Sequence, residues 1–311
     1  MKRHRSGLLV KLLAVLFGLS LVAAACGDDD NGGDDEGAAG SNGGGALECD
    51  TVSIGMIPGW DEGEAATYLW KVILEDEGAT VDVTELDAGP VYQGVATGDL
   101  DLFLDAWLPT THEDYWEELG DDLEDLGVWY DQATLNLAVP EYVDIETIGD
   151  LADRADEFGG RIVGIDPGAG LMRVTRDEAM PTYGLEDFDL VEGSATAMLA
   201  ELQRAIDDEE PIVVTLWHPH WAYAAFPIKD LEDPEGAMGG AESMHVAARS
   251  GFGEDCPTIA GWLTNFEMDD ASLASLEELV IHEYGDGEEE DAVREWLEDS
   301  ANQELVDSWK S

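Results

Sequence analysis

The chain is poor in positive charge. Its 311 residues carry 14 Lys and Arg against 71 Asp and Glu, a formal net charge of −57. Such a balance leaves no basic footprint for nucleic acid or for an anionic membrane surface, so neither is an expected partner. It suits a strongly hydrated protein, and it is also the surface expected in salty surroundings, where screening relieves self-repulsion. Cysteine is scarce as well, with three in the whole chain, which excludes a cysteine-dense disulfide scaffold. Several catalytic signatures are missing: G-x-S-x-G, the P-loop, the zinc-protease histidine pair and the D-x-D-x-D-G calcium frame. No repeat of about 20–50 residues is visible, and no cofactor is expected. What is present is core material: 44% apolar residues and ten tryptophans, enough for one large or two modest domains.

The N-terminus gathers part of the little basic charge there is. Lys2, Arg3, His4, Arg5 and Lys11 flank an apolar stretch, Leu12 to Val22, that is too short for a structural membrane span. Ala23-Ala24-Ala25 and Cys26 follow, although a leucine is more usual at position 23. This segment resembles a bacterial lipoprotein signal peptide. The resemblance implies removal of residues 1–25 and lipidation of Cys26, anchoring the protein at the outer face of the cell membrane; ordinary cleavage nearby, with Cys26 free, is the alternative. Residues 26–47, rich in Gly and Asp, read as a disordered, self-repelling tether. In an exported protein the two remaining cysteines, Cys49 and Cys256, can pair, or can stay as separate buried thiols.

Past the tether the pattern is alternating. Strands are expected at Thr51–Ile57, Thr80–Leu86 and Leu100–Leu104, with helices over Asp61–Glu77 and Val91–Ala96 and a further helix from His112. Another strand is expected at Ala133–Val139, and then the rhythm restarts. Helices are expected over Ile148–Phe158, Leu171–Met180 and Ser194–Ile206, and strands at Arg161–Ile165, Phe188–Val191 and Ile212–Thr215. From Ala241 onward the chain reads as mainly helical. The expected class is α/β, with residues 48–140 as a first lobe, 141–225 as a second and 226–311 returning to the first. Each lobe is expected to be a mixed, mainly parallel sheet flanked by helices. Ligands of such folds lie in the cleft near the carboxyl ends of the strands.

Four loops at those ends are unusual. They are Gly59-Trp60-Asp61-Glu62, Ala106-Trp107 with Thr110-Thr111-His112, Gly168-Ala169-Gly170-Leu171, and Trp217-His218-Pro219-His220-Trp221. Three aromatic rings suit a quaternary ammonium, which donates no hydrogen bond and is attracted to a π-face by about 0.5–2 kcal/mol per ring. The Gly-rich loop before a helix can present backbone N–H groups to an anion, and His112 can donate one more hydrogen bond. Together they describe a zwitterion with a methylated nitrogen and a carboxylate.

The stretches GWDEGEAA, DAGPVYQGVATGDLD, AWLPTTH, LAVPEYV, GIDPGAGLM and TLWHPHW, with AFPIKDLEDP after them, are similar to those of substrate-binding proteins of glycine betaine/proline betaine ABC transporters. The similarity runs from residue 50 to residue 265. It implies a two-lobed, periplasmic-binding-protein-like fold of type II that closes on its ligand. By position, it implies an ammonium cage of Trp60, Trp107 and Trp217 and a carboxylate site of Gly170, Leu171 and His112. It also implies a monomeric receptor, with a small zwitterion and a membrane permease as partners and no catalysis. His218 stands where relatives more often carry Ser or Thr, at the expected rim of the cage. A choline- or carnitine-type binding protein is the neighbouring alternative. A secreted metalloenzyme using His112, His218 and His220 is the alternative from another class. A lone tryptophan is more often core than cage, and Trp70, Trp116, Trp129, Trp262, Trp296 and Trp309 are assigned to packing; Trp221 is placed behind Trp217. His245 and His282 have no partner pattern and are assigned to the surface.

Overall fold

The computed structural model describes residues 47–285 and 287–311. The signal segment, Cys26 and nearly all of the tether lie outside the described residues. Nine strands, numbered in chain order, form one mixed sheet system that runs β2 (Thr80–Glu85), β1 (Thr51–Met56), β3 (Leu102–Leu108), β9 (Glu242–Arg249), β4 (Leu123–Pro140), β7 (Val214–His218), β5 (Arg161–Val163), β6 (Asp189–Val191), with β8 (Ile228–Asp230) paired to β4. The first lobe starts with β1, α1 (Asp61–Asp76), β2, α2 (Ala88–Thr97), β3 and α3 (Glu113–Leu119). β1 pairs with β2 and β3 in parallel, as the alternation of strand and helix requires. α1 buries Ala65, Leu69, Val72 and Ile73 on one face and ends before Gly78, whose φ is +100°.

β4 (Leu123–Pro140) is much longer than the expected Ala133–Val139 strand. Its first half, to Ala133, pairs with β9; its second half, from Thr134, pairs with β7 and then β8. A single strand thus joins the two halves of the sheet, changing partners between Ala133 and Thr134. The second lobe contains β5 (Arg161–Val163), a helical run opened by α4 (Gly170–Val174), β6 (Asp189–Val191), a helix over Ala195–Asp208 and β7 (Val214–His218). Ser194 caps that helix by accepting from the Ala197 N–H at 3.2 Å. β8 (Ile228–Asp230) then pairs with the end of β4, next to β7. The hydroxyl of Tyr183 donating to Asp233, and Asp233 accepting from the Met238 N–H at 2.7 Å, hold the segment between β8 and β9.

Two expectations fail. Ile148–Phe158 is not one helix but two short 3₁₀ turns, the first opened by a capping box of Thr147 and Asp150 and the second ended at Gly159, whose φ is +62°. Glu242–Arg249, expected within a mainly helical region, is β9, the strand between β3 and β4. Its Met and Ala residues have helical preference, but Met244, Val246, Ala247 and Ala248 are buried between two antiparallel partners, and that burial decides its state. Helices do follow, over Pro257–Thr264, Asp270–Glu277, Glu289–Trp296 and Ser300–Trp309. They dock on α1 through Trp70, which stacks on Trp309 at 6.1 Å and meets Phe266 edge-on at 5.4 Å. A disulfide joins Cys49 to Cys256, their Cα atoms 5.5 Å apart, and so ties the start of β1 to this helical region. Among the described residues no helix is long and apolar enough to cross a membrane.

Candidate ligand-binding site

A small, largely apolar cavity lies between the lobes. Its lining includes Trp60, Trp107 and His112 from the first lobe and Gly170, Leu171 and Trp217 from the second. All six residues selected from the sequence for ligand contact thus converge on one space. Trp60 is the residue just before α1, after the Pro58-Gly59 turn. Trp107 and Trp217 lie within β3 and β7, not beyond them, because both strands run further than the apolar pattern suggested. β7 pairs with β4 so that Trp217 stands opposite Leu135, another lining residue. Alternation along β7 separates Trp217 from its neighbour. His218 is consequently not at the cage rim: it bonds Asp230 at 2.9 Å and stacks on Tyr223 at 3.7 Å, outside the cavity lining.

The three tryptophan rings of the lining are almost wholly buried, Trp60 at 6% exposure and Trp107 and Trp217 at 3%. Two are held by their edges. Trp107 Nε1 donates to Asp105 Oδ1 at 2.6 Å, and Trp217 Nε1 donates across the lobes to Glu62 Oε2 at 3.0 Å. Trp60 lies parallel to His112, with ring centres 5.5 Å apart. Trp221 is not part of the lining; its indole N–H donates to Asp61, and His220 sits between it and Trp217, 4.6 Å from the Trp217 ring centre.

The opposite side of the cavity is arranged to donate. His112 Nδ1 accepts the Trp107 backbone N–H at 2.9 Å, which leaves the imidazole proton on Nε2. That Nε2 is buried with no protein partner. Burial pushes the His112 pKa down to about 3, with the Arg173 charge acting in the same direction, so the ring is a neutral donor. Gly170 and Leu171 are the first residues of α4, where backbone N–H groups have no partner inside the helix. Gly170 is required for a further reason: a Cβ placed there would sit 1.7 Å from the Thr111 carbonyl oxygen of the other lobe.

The lobes are in contact around this space. Arg173 Nη2 donates to the Thr110 carbonyl at 2.5 Å and the Tyr115 hydroxyl donates to the Gly168 carbonyl at 2.8 Å. Glu242 holds the Thr110-Thr111 loop, accepting both backbone N–H groups at 2.7 and 2.8 Å and the Thr111 hydroxyl at 2.6 Å. Lining or supporting residues given no role from the sequence include Glu62, Thr111, Leu135, Ile165, Glu242 and Asp105. The last had a legible signal, an acid inside the otherwise apolar run Leu102–Leu108. His112, His218 and His220 do not gather, and among the described residues no set of three or more His, Cys, Asp or Glu side chains is placed to hold a metal ion. Of the two histidines assigned to the surface, His282 is exposed, while His245 is partly buried and bonds Asp125 at 3.0 Å.

Comparison with known proteins gives a consistent family. Residues 50–299 match the family model for the substrate-binding domain of the ABC-type glycine betaine transport system. The glycine betaine/carnitine transport binding protein GbuC of Listeria monocytogenes is 36% identical over 160 residues, 50% of this chain and 51% of that protein, so the chain spans about half the length of this relative. The lactococcal OpuAC structure, closed and complexed with glycine betaine, has a TM-score of 0.77 at 30% identity, covering 84% of this chain and all of that one (100%). An ABC-transporter choline binding protein in complex with choline has a TM-score of 0.76 at 29% identity, covering 84% of this chain and 91% of that one.

Proposed function

This chain belongs to the family of substrate-binding domains of ABC-type glycine betaine transport systems, and on that premise we propose that it captures glycine betaine, or a close quaternary-ammonium relative, for uptake as a compatible solute. The trimethylammonium group enters the cage of Trp60, Trp107 and Trp217; the carboxylate faces His112 Nε2 and the backbone N–H groups of Gly170 and Leu171. The observation that carries this reading is the unpartnered, neutral Nε2–H of His112 on the far side of an aromatic cavity. A cation cage alone suits choline equally well; a buried donor with nothing to donate to suits a carboxylate better.

The site draws on both lobes at each end, so ligand and closure stabilise one another. The receptor works as a monomer, held at the outer face of the cell membrane through Cys26 and the tether, and hands its solute to a separate permease. Choline or carnitine is the second reading; the acid Glu62 in the cavity wall favours choline, which is a net cation, over the zwitterion carnitine. Calorimetric titration with glycine betaine, proline betaine, carnitine and choline tests the choice. The expected order places the betaines first, and His112→Ala is expected to weaken the betaines while leaving choline nearly unchanged. Preference for choline in the unaltered protein would overturn the assignment of the carboxylate side.

A further inference from the structure

Around the cage lies a group of four acids, one of which, Glu62, also lines the cavity. Asp61 and Glu62 come from the first turn of α1, Asp105 from β3 and Glu277 from the end of the helix over Asp270–Glu277; all four are buried. Glu62 and Asp105 accept the indole N–H groups of Trp217 and Trp107, and Asp61 accepts that of Trp221. The Asp105 carboxyl packs on bare backbone: a Cβ at Gly63 would lie 2.7 Å from Asp105 Oδ2. Asp105 Oδ2 and Glu277 Oε1 are buried without a hydrogen-bond partner. Among the described residues no Lys or Arg forms an ion pair with any of the four; the nearest basic group is His220, 3.9 Å from Asp61.

Four buried acids without a cation cannot all be ionised, because each negative charge raises the cost of the next. A trimethylammonium group in the cage is the missing positive charge. Resting on the cage reading above, we infer that this carboxyl set is the site's counter-charge. Glu62 and Asp105 position Trp217 and Trp107, and entry of the ligand's cation expels a proton from a carboxyl O–H of the set to solvent. No other bond changes: the carboxyl is left as a carboxylate whose charge faces the bound ammonium. The directions agree. Burial raises all four, to about 6 for Asp61 and about 8 for Glu277 and well above the usual range for Glu62 and Asp105; Glu62 is raised further by Asp105 and Glu277.

The other titratable groups facing the set do not supply this proton. Tyr92 is buried and lifted well above the ordinary tyrosine range, and Tyr130 is raised also. His220 is pushed down to about 3 and stays neutral. His282, edge-on to Trp221 at 4.4 Å, is exposed and serves as the control.

The test is calorimetric titration of glycine betaine near pH 7 in two buffers of different ionisation enthalpy, for the unaltered protein, Glu277→Gln and His282→Gln. The ligand's own carboxylate stays ionised here, so released protons come from the protein. The expected result is a buffer-dependent heat corresponding to proton release, reduced in Glu277→Gln and kept in His282→Gln. Affinity is expected to rise roughly two- to tenfold from pH 6 to pH 8. Heats that are independent of buffer, with binding intact, overturn the inference alone. Release abolished by His282→Gln and untouched by Glu277→Gln overturns it too. Absence of glycine betaine binding overturns both this inference and the cage on which it rests.

Discussion

The protein contains two tryptophan clusters built to opposite ends. In the first, Trp70, Trp129, Trp309 and Phe266 press on one another: Trp129 stacks on Phe266 at 5.1 Å and Phe266 meets Trp309 edge-on at 4.9 Å. Faces are consumed by other rings, and Trp129 gives its N–H to a backbone carbonyl, that of Leu104, at 2.6 Å. In the second, Trp107 and Trp217 give their N–H groups to carboxyls while all three cage rings border a cavity. The difference is what, on the proposed reading, would turn a buried tryptophan into a binding surface. A ring held by its edge leaves a π-face for a cation, whereas a ring held by its faces contributes only packing.

The largest effect that separates the clusters is on stability. Trp309→Ala is expected to cost about 3–5 kcal/mol, the usual loss for a large core aromatic, without changing the affinity of the molecules that remain folded. Denaturant titration alongside ligand titration checks this, and an affinity loss matching the cage variants would erase the distinction. Next comes closure. Gly170→Ala brings a Cβ onto the Thr111 carbonyl, while a Cβ at Gly168 would meet the Tyr115 hydroxyl at an ordinary 3.4 Å. Gly170→Ala is therefore expected to lose glycine betaine binding by roughly tenfold or more, and Gly168→Ala to lose little; a one-contact desolvated interaction sets that scale.

A smaller effect concerns pH. Glu277 has its pKa raised from 4.5 to about 8, so its folded form retains a proton that the unfolded chain gives up. Its contribution to stability is present below pH 4.5 and is lost as pH rises toward 8. His112 and His220, lowered from 6.5 to about 3, act in the other direction and lose stability as pH falls from 6.5 toward 3. Glu277→Gln is expected to be more stable than the unaltered protein by a margin that grows between pH 4.5 and 8. Thermal unfolding across that range, with an equal margin at both ends, would remove Glu277 from the account. The smallest effect belongs to the surface: breaking the exposed Arg294–Asp76 pair, 3.0 Å in length, is expected to cost less than about 1 kcal/mol.

Much of this was legible in the sequence, for reasons visible in single residues. Trp60, Trp107 and Trp217 stood out because large aromatics beside strand ends are costly to expose, and the resemblance to the family implied the roles proposed for them. α1 and β1 to β3 followed from periodicity and from turn residues such as Gly78. β9 did not, since Met244, Ala247 and Ala248 carry no strand preference of their own and are placed by partners far away in the chain. The division of β4 between two sets of partners was likewise invisible, because a single strand that changes partners at Ala133–Thr134 has no punctuation there. His218 was misplaced for a simpler reason: its strand runs on through it, and alternation turns it away from the side that Trp217 faces.

The central claim is that the edge-held rings bind a quaternary ammonium. Titration of glycine betaine into Trp107→Ala and Trp217→Ala, with folding checked by thermal unfolding, tests it most directly. Each variant is expected to stay folded and to bind roughly tenfold or more weakly, the loss of one desolvated cation–π contact. Folded variants that bind as tightly as the unaltered protein would contradict the account.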